Sequence, residues 1–417
     1  MNRYFAISLI AMTAAALVVL SVAPSPQPPR NSGELRSGCY VWQRTWDDAV
    51  RDAVGNAPTD IHSLCPLCAE ISWDAHGRAA TAWPKLDYEA LRKSGRPISA
   101  VLRIDARPAD TRADTQICQI AQTLLRGLRT AEIEPTELQV DFDSAKSQLA
   151  TYRSTLATLR HAIRPLPVRP TVLPSWLSSE EFPPLAAESG SYILQVHATR
   201  APRLNTPETA LCDAEDARKW VEEAGRLGIP FRVALPTYTY RAAFSANGRM
   251  LGLEAEGPAK LWPPGTQLRY FRPDPTKLAA LIHDWIEDRP AALQGLLWYR
   301  LPVATDQQNW RASTLSAVMA GRAPHAELRI EQTGGSPTDL CLLNAGEADI
   351  ALPARIVASC VGEIEAADGI GGYRAEVSGH NVTFIREERL AQTRLSPGTH
   401  RPLGWLRADA AIQVQLP

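Results

Sequence analysis

Short apolar runs alternate with amphipathic stretches along most of this chain, from about residue 39 to residue 320. The apolar runs are rich in Val, Ile, Leu and aromatic residues, which is typical of β-strands, and the stretches between them repeat apolar positions every three to four residues, as helices do. The pattern predicts strands at 40–43, 67–73, 98–104, 137–142, 168–173, 192–196, 231–235 and 296–299, and helices at 47–54, 87–93, 111–129, 145–163, 178–188, 213–227, 276–288 and 314–319.

Repeated strand–helix alternation indicates an α/β protein whose parallel strands are joined by crossover helices. Eight such units close a (β/α)8 TIM-like barrel, although an open doubly wound sheet gives the same alternation. An open nucleotide-binding sheet has a Gly-rich turn after its first strand, and the sequence Gln-Arg-Thr-Trp stands there instead, at 43–46. The barrel is therefore the favoured architecture.

Side chains alternate between the two faces of a strand, so the predicted fourth strand places Asp141 and Asp143 on one face and the apolar residues of 137–142 on the other. In a barrel wrapped by helices the apolar face points outward, and the polar face lines the interior and the mouth. The same alternation pairs Arg103 with Asp105, and Gln195 with His197.

Two regions depart from the strand–helix alternation. The connection from about residue 236 to residue 275 is long and has a hairpin-like centre at 245–248, which indicates a lid or a cleft wall at the C-terminal end of a barrel strand. After residue 323 only short β-rich runs remain, separated by Gly and Asn turns. We expect a barrel over 39–323 and a small β-sandwich-like domain over 324–417.

The N-terminus predicts export. Arg3 precedes an uncharged apolar run over 4–23, so residues 1–23 are a signal peptide or an N-terminal membrane anchor. Small residues at 21–23 favour cleavage, whereas the length of the run suits a membrane span. Residues 24–38 form a Pro-rich linker. The expected location is periplasmic, or membrane-anchored and facing outside the cytoplasm.

The charge balance and the cysteines limit which partners and cofactors the protein can have. The chain has 44 basic and 45 acidic side chains and a formal net charge of −1, which argues against a nucleic-acid partner. In an oxidising compartment the seven cysteines allow disulfides. Cys65 and Cys68 are a local disulfide or two core thiols rather than a zinc or redox site, because no second ligand pair follows. Cys341 and Cys360 are a candidate bridge. We expect no metal and no cofactor.

Barrel chemistry lies at the C-terminal ends of the strands. Three carboxylates converge there in the predicted barrel, and paired carboxylates ringed by aromatic residues are what glycoside chemistry uses. The alternative is a buried Asp–Arg network that closes the mouth without catalysis. The candidate catalytic residues are Asp105, Asp141 and Asp143, and the candidate substrate-binding residues are Trp42, Arg44, Arg103, Trp176, Gln195, His197, Tyr238, Trp298 and Arg300.

Several motifs in order resemble a bacterial family known only as a domain of unknown function. They are Tyr-Val-Trp-Gln-Arg-Thr-Trp at 40–46, Leu-Gln-Val-Asp-Phe-Asp at 138–143, Leu-Pro-Ser-Trp-Leu at 173–177 and Ile-Leu-Gln-Val-His at 193–197. The resemblance covers roughly residues 39 to 320. It implies an exported barrel of the glycosidase type and supplies no established activity.

The fourth predicted strand is also distantly similar to that of the family-eighteen chitinases, which ends in Asp-x-x-Asp-x-Asp-x-Glu. Asp141 and Asp143 match the second and third acids, whereas Leu138 replaces the first acid and Ala145 replaces the proton-donating Glu. The chitinase mechanism therefore does not carry over. Asp105, Glu70 and Glu180 remain as alternative acids.

These observations predict a glycoside hydrolase-like protein that acts on or binds an extracytoplasmic polysaccharide. As a hydrolase it would use Asp143 as acid or base, Asp141 as an electrostatic or positioning group and Asp105 as the third acid. The alternative is a non-catalytic sugar-binding or scaffolding protein of a cell-envelope assembly, which the Ala at position 145 favours.

Overall fold

The computed structural model describes residues 28–74, 76–105, 107, 112–255, 260–391 and 393–416. Eight parallel strands form a closed ring in which successive strands pair and the first also pairs with the last. The strands are β1 (Ser37–Val41), β2 (Ile61–Trp73), β3 (Ser99–Ile104), β4 (Glu137–Asp141), β5 (Val168–Val172), β6 (Tyr192–Gln195), β7 (Phe231–Pro236) and β8 (Leu293–Tyr299).

A helix follows each barrel strand and covers the ring from outside. Asp47, Asp87, Asp213 and Asp274 cap four of these helices by accepting hydrogen bonds from backbone N–H groups of the first turn. The helices are α1 (Asp48–Gly55), α2 (Tyr88–Lys93), α3 (Arg112–Thr130), α4 (Leu149–Ala162), α5 (Phe182–Ser189), α6 (Ala214–Gly225), α7 (Pro275–Glu287) and α8 (Ala312–Met319).

The predicted barrel is confirmed, with corrections at the element boundaries. β2 begins at Ile61, six residues before the predicted start at 67, and its far end pairs with a short strand, Ala79–Ala82. Polar residues at 62–63 and a proline at 66 hid the first half of this strand from the sequence pattern. α5 begins at Phe182 rather than 178, with proline in its first turn, a position that tolerates the missing N–H group.

The alternation along β4 has the predicted orientation. Leu138 and Val140 pack outward in the hydrophobic core against the helices. Gln139 is fully buried inside the ring, where its Oε1 accepts a hydrogen bond of 2.8 Å from the Tyr40 hydroxyl. Below it, Glu137 pairs with Arg232 at 2.6 Å. The polar face of β4 therefore lines the barrel interior up to Asp141 at the mouth.

The long connection between β7 and α7 forms a three-stranded antiparallel sheet, which we call the lid sheet. Its strands are Tyr240–Phe244, Met250–Glu254 and Gln267–Phe271, with the first in the middle. The predicted hairpin turn is confirmed, and Gly248 adopts a φ of 79° there, which favours glycine.

The end of the predicted linker is part of the barrel structure. Arg30–Asn31 pairs with Arg289–Pro290, and the Arg30 guanidinium forms 2.7 Å ion pairs with Glu222 and Asp288. The segment therefore lies against the ends of α6 and α7. The predicted signal or anchor at 1–23 lies outside the described residues. Within the described part of the chain, no helix is both long and apolar enough to cross a membrane.

The C-terminal region has the predicted β-rich architecture, with two four-stranded antiparallel sheets. Both sheets contribute to one core, through Leu342 and Leu406 on one side and Ile356 and Phe384 on the other. The first sheet contains Leu328–Gly334, Thr338–Asn344, His400–Ala408 and Ile364–Gly369, and the second contains Tyr373–Ser378, Asn381–Arg386, Arg355–Cys360 and Ile412–Gln415.

The cysteines are free thiols in this structure. The candidate bridge between Cys341 and Cys360 is therefore wrong. Cys65 lies among the inward residues of the barrel, and Cys68 packs in the outer core, because neighbouring strand positions alternate in direction. Of the two readings left open for this pair, core thiols agree with the structure. Within the described residues, no cluster of His, Cys, Asp and Glu has the arrangement of a metal site.

Candidate active site at the barrel mouth

A cavity of about 710 Å³ opens at the C-terminal ends of β8, β1, β2 and β3. We call it the first basin. The short strand Ala79–Ala82 and Ala255 beside the lid sheet form part of its wall. Its charged and aromatic lining residues are Trp42, Arg44, Glu70, Arg103, Asp105 and Tyr299.

Asp141 lies directly behind the first basin, at the end of β4. Its Oδ2 accepts a 2.7 Å hydrogen bond from Arg103 Nη1, and 13% of its side chain is exposed. Burial raises the pKa of Asp141 to about 6, because the loss of hydration outweighs the opposing effect of Arg103, and the nearby Asp143 raises it further. Asp141 is therefore a carboxyl group that changes charge near neutral pH.

A second ion pair stands on the wall of the first basin. Arg44 Nε and Nη2 donate to the two carboxylate oxygens of Glu70 at 2.6 and 3.0 Å. This fork-like pairing fixes both side chains. Glu70, which the sequence offered only as an alternative acid, therefore belongs to the basin.

Tyr299 is the centre of an aromatic cluster at the mouth. Its ring centroid is 4.9 Å from that of Trp42, 5.7 Å from that of His197 and 5.3 Å from that of Tyr238. The Arg103 guanidinium carbon lies 6.0 Å from the ring centroid of Trp42. Tyr299 was not among the residues predicted from the sequence, because the neighbouring Trp298 was expected at the mouth instead.

His197 is buried within this cluster, with 4% of its surface exposed. Its Nδ1 has no hydrogen-bond partner among the described residues. Burial lowers the pKa of His197 to about 3, since the charged imidazolium loses hydration that no partner replaces. At neutral pH His197 is an uncharged ring that supports Tyr299.

A separate cavity of about 400 Å³, the second basin, lies over the ends of β4, β5 and β6. Asp143, Gln195 and Arg200 line it. The three candidate carboxylates therefore do not share one cavity. Asp105 lines the first basin, Asp143 lines the second, and Asp141 lies between them. Asp143 is exposed because the chain has left β4 by this residue.

Three candidate binding residues lie in the protein interior instead of at the mouth. Trp176 is fully buried, and its Nε1 donates to the Ser144 carbonyl at 3.1 Å. Trp298 is also fully buried and points outward from β8. Arg300 is 5% exposed and pairs with Asp306 at 3.0 Å. The two tryptophan side chains offer no open ring face, so their assignment as sugar platforms is corrected.

Tyr238 occupies an intermediate place. It is 8% exposed and packs in a small cluster beneath the lid sheet, with Tyr240 and Phe271, while its ring contacts Tyr299 from the other side. Tyr238 therefore supports the wall of the mouth. The structure brings together Trp42, Arg44, Arg103 and Asp105 in one basin, and places Gln195 in the other.

The fold and site define an α/β protein of the (β/α)8 class with a polar mouth. The sequence profile of the family described as "Domain of unknown function (DUF3142)" matches residues 94–304, about half of the chain, and the protein belongs to that family. A second profile, "Domain of unknown function (DUF8456)", matches residues 328–409 in the C-terminal sheets. The resemblance inferred from the motifs is confirmed. No curated protein sequence matches this chain.

Solved structures with a similar arrangement include two spore cortex-lytic enzymes called SleL. That of Bacillus megaterium QM B1551 has 12% sequence identity and a TM-score of 0.47, and that of Bacillus cereus has 10% and 0.48; each similarity covers 70% of this chain and 75% of the other. Chitinase ChiA74 of Bacillus thuringiensis has 8% identity and a TM-score of 0.41, over 91% of this chain and 100% of the other. At these values the likeness carries no argument about activity.

Proposed function

We propose that the protein is an exported glycoside hydrolase-like barrel that acts on or binds an extracytoplasmic polysaccharide at its mouth. The observation that carries this proposal is Asp141, whose pKa burial raises to about 6 and which pairs with Arg103 on the wall of a cavity of about 710 Å³. A carboxyl group with such a pKa holds and releases a proton near neutral pH, as a general acid or base must do at a glycosidic oxygen.

The lining of the first basin suits a sugar. Tyr299 offers apolar ring surface, supported from behind by the buried Trp42, and the Arg44–Glu70 pair beside it offers both hydrogen-bond donors and acceptors. Sugar rings present an apolar face and a rim of hydroxyl groups, so both kinds of surface find a counterpart. The basin volume lies in the range of about 300–1,000 Å³ that is usual for small-ligand sites.

Hydrolysis needs a second carboxyl group besides Asp141. Asp105 meets this need best, because it is exposed on the wall of the first basin and follows β3, the strand that carries Arg103. In this assignment Asp141 transfers the proton and Asp105 is the nucleophile or base. Asp143, the acid or base predicted from the sequence, lines the other basin.

One observation favours the alternative, a sugar-binding protein without turnover. Both Glu70 and Asp141 are already held in ion pairs, with Arg44 and Arg103 respectively. Such pairs form a rigid polar surface that binds hydroxyl groups without giving up a proton. Export rests on Arg3 and the apolar run over 4–23, and places either activity in the periplasm or at the outer face of a membrane.

The test is a screen of the full chain against bacterial exopolysaccharides and peptidoglycan fragments, in which binding and release of reducing ends are measured together. The parent is compared with Asp141→Asn and Asp143→Asn. Asp284→Asn is the control, because Asp284 is an exposed residue of α7 that pairs with Arg218 far from the mouth.

If Asp141→Asn abolishes the release of reducing ends and the other two variants retain it, the protein is a hydrolase with its acid at Asp141. Binding without release, retained in Asp141→Asn, supports the sugar-binding alternative. If only Asp143→Asn loses the release of reducing ends, Asp143 is the residue that transfers the proton. If the parent neither binds nor cleaves any member of the panel, the proposal is wrong.

A further inference from the structure

The two basins occupy opposite halves of the barrel ring. The first is built from the ends of β8, β1, β2 and β3, and the second from the ends of β4, β5 and β6. In the closed ring these halves meet between β3 and β4. The residues that stand at this junction are Arg103 and Asp141, joined by their 2.7 Å ion pair.

The second basin does not end at the ring. A further cavity of about 690 Å³ adjoins it and shares the lining residues Thr199, Arg200 and Trp220. This extension leads outward over the N-terminal half of α6, past Asp216. A cavity therefore lies on each side of the Arg103–Asp141 pair, whereas a pocket that takes the end of a chain is closed on one side.

We propose that the two basins are the arms of one cleft that binds an internal segment of a linear, uncharged polysaccharide, with the Arg103–Asp141 pair beneath a linkage at its middle. This inference rests on the proposed function and adds the substrate class. It applies to a hydrolase and to a sugar-binding protein alike. Each arm has the volume of a separate ligand site, so each arm holds its own rings of the chain.

The charges of the two arms support an uncharged ligand. The first basin sets Arg44 and Arg103 against Glu70 and Asp105. In the second arm Arg200 lies 3.8 Å from Asp216. Because both signs occur close together in each arm, neither arm presents the single-sign surface that a polyanion would need.

The second arm has polar side chains that are free to reorient towards sugar hydroxyls. Arg200 has 81% of its side chain exposed, so its pairing with Asp216 is weak and exchangeable. Gln195 is partly exposed and lines the second basin, and its Nε2 donates to the His197 carbonyl at 3.2 Å, so its Oε1 remains as a hydrogen-bond acceptor. Neither residue belongs to the hydrophobic core, so both can be changed with little effect on folding.

The experiment measures affinities for linear cello-, manno-, xylo- and chito-oligosaccharides, each from the disaccharide to the octasaccharide, with polygalacturonate as an acidic comparison. The parent is compared with Gln195→Ala and Arg200→Ala. The matched controls are Gln294→Ala, at an exposed position near the start of β8, and Arg226→Ala, at the exposed position directly after α6. Circular dichroism and thermal unfolding confirm that each variant is folded.

In one neutral series, we expect the members that are long enough to occupy both arms to bind at least about tenfold more tightly than the members that fill only one arm. Both second-arm variants should lose this gain and keep the affinity for the short members, while the two controls keep the gain. Binding that does not rise with length, or that these variants leave unchanged, overturns the two-arm cleft and leaves the proposed function intact. Binding of polygalacturonate alone overturns the uncharged class. No binding to any glycan here or in the broader screen overturns both proposals.

Discussion

Arg103 and Asp141 form a 2.7 Å ion pair at the junction of β3 and β4, and yet the pKa of Asp141 is raised to about 6. An ion pair ordinarily lowers the pKa of a carboxyl group. Here the loss of hydration on burial raises the pKa by more than Arg103 and a hydrogen bond with the Thr171 side chain lower it. The negative charge of Asp143 raises the pKa further. The pair therefore places an acid that titrates near neutral pH between two open basins.

The raised pKa predicts how stability depends on pH. Because the folded-state pKa lies above the usual value of 3.8, Asp141 stabilises the fold fully at pH below 3.8, and this contribution is lost as pH rises through about 6. A shift of about two units corresponds to about 3 kcal/mol. Relative to Asp141→Asn, the parent should lose up to about this amount in the free energy of unfolding between about pH 4 and pH 7. Urea unfolding across this range measures the difference.

Asp284→Asn is the control for this measurement, because Asp284 is half-exposed on α7. If the parent and Asp141→Asn differ by a constant amount across the range, the pKa of Asp141 is not raised, and its assignment as the titrating acid is wrong.

His197 should act in the opposite direction. Its folded-state pKa is lowered from 6.5 to about 3, so the stability that the neutral ring contributes is present above pH 6.5 and is lost as pH falls towards 3. His197→Phe keeps a ring against Tyr299 and removes the titration. Relative to this variant, the parent should lose several kcal/mol, at most about 4–5, between pH 6.5 and pH 3.

The control for His197 is His161→Phe, because His161 is exposed near the end of α4. Denaturant unfolding in the acid range, with the three proteins side by side, isolates the effect of the buried ring. A parent that takes up a proton on His197 above pH 5, as seen by NMR of the imidazole, would contradict the burial argument.

Neighbouring residues of β8 should have separable effects. Trp298 is fully buried, and its Nε1 donates to the Ser37 hydroxyl at 3.1 Å, whereas Tyr299 lines the first basin. We expect Trp298→Phe to lower the free energy of unfolding by about 1–3 kcal/mol and to leave glycan affinity unchanged. Tyr299→Ala should weaken glycan binding at least about tenfold. If Trp298→Phe stays folded but loses glycan binding, Trp298 belongs to the binding site after all.

Closure of the ring depends on a glycine in β8. A Cβ atom at Gly295 would lie 2.6 Å from the Arg36 carbonyl oxygen, a backbone atom beside β1 that cannot rotate away. Gly295→Ala should therefore cost about 1–3 kcal/mol of stability. Gly55→Ala is the matched control, because a Cβ at Gly55 meets nothing within 4 Å, and thermal unfolding compares the two. Equal melting temperatures for Gly295→Ala and the parent would disprove the close contact.

Much of the fold could be predicted from local pattern. The eight strand–helix units, the lid hairpin and the β-rich end follow from periodicity and turn residues, which act over a few neighbouring positions. The inward direction of Asp141 followed from strict alternation in 137–143. Trp298 was misplaced because the two aromatic residues at 298–299 are interchangeable by composition, and an error of one position reverses the face of a strand.

The sequence by itself determined the barrel, the family and the polar character of the mouth, because these depend on short-range spacing and residue type. Only the tertiary structure decided which charged groups meet: Arg103 with Asp141, 38 residues away, and Arg44 with Glu70, 26 residues away. It also decided that Asp143 and Asp105 face different basins and that His197 is buried without a charge. Burial and long-range pairing set the pKa values, and neither is written in the local sequence.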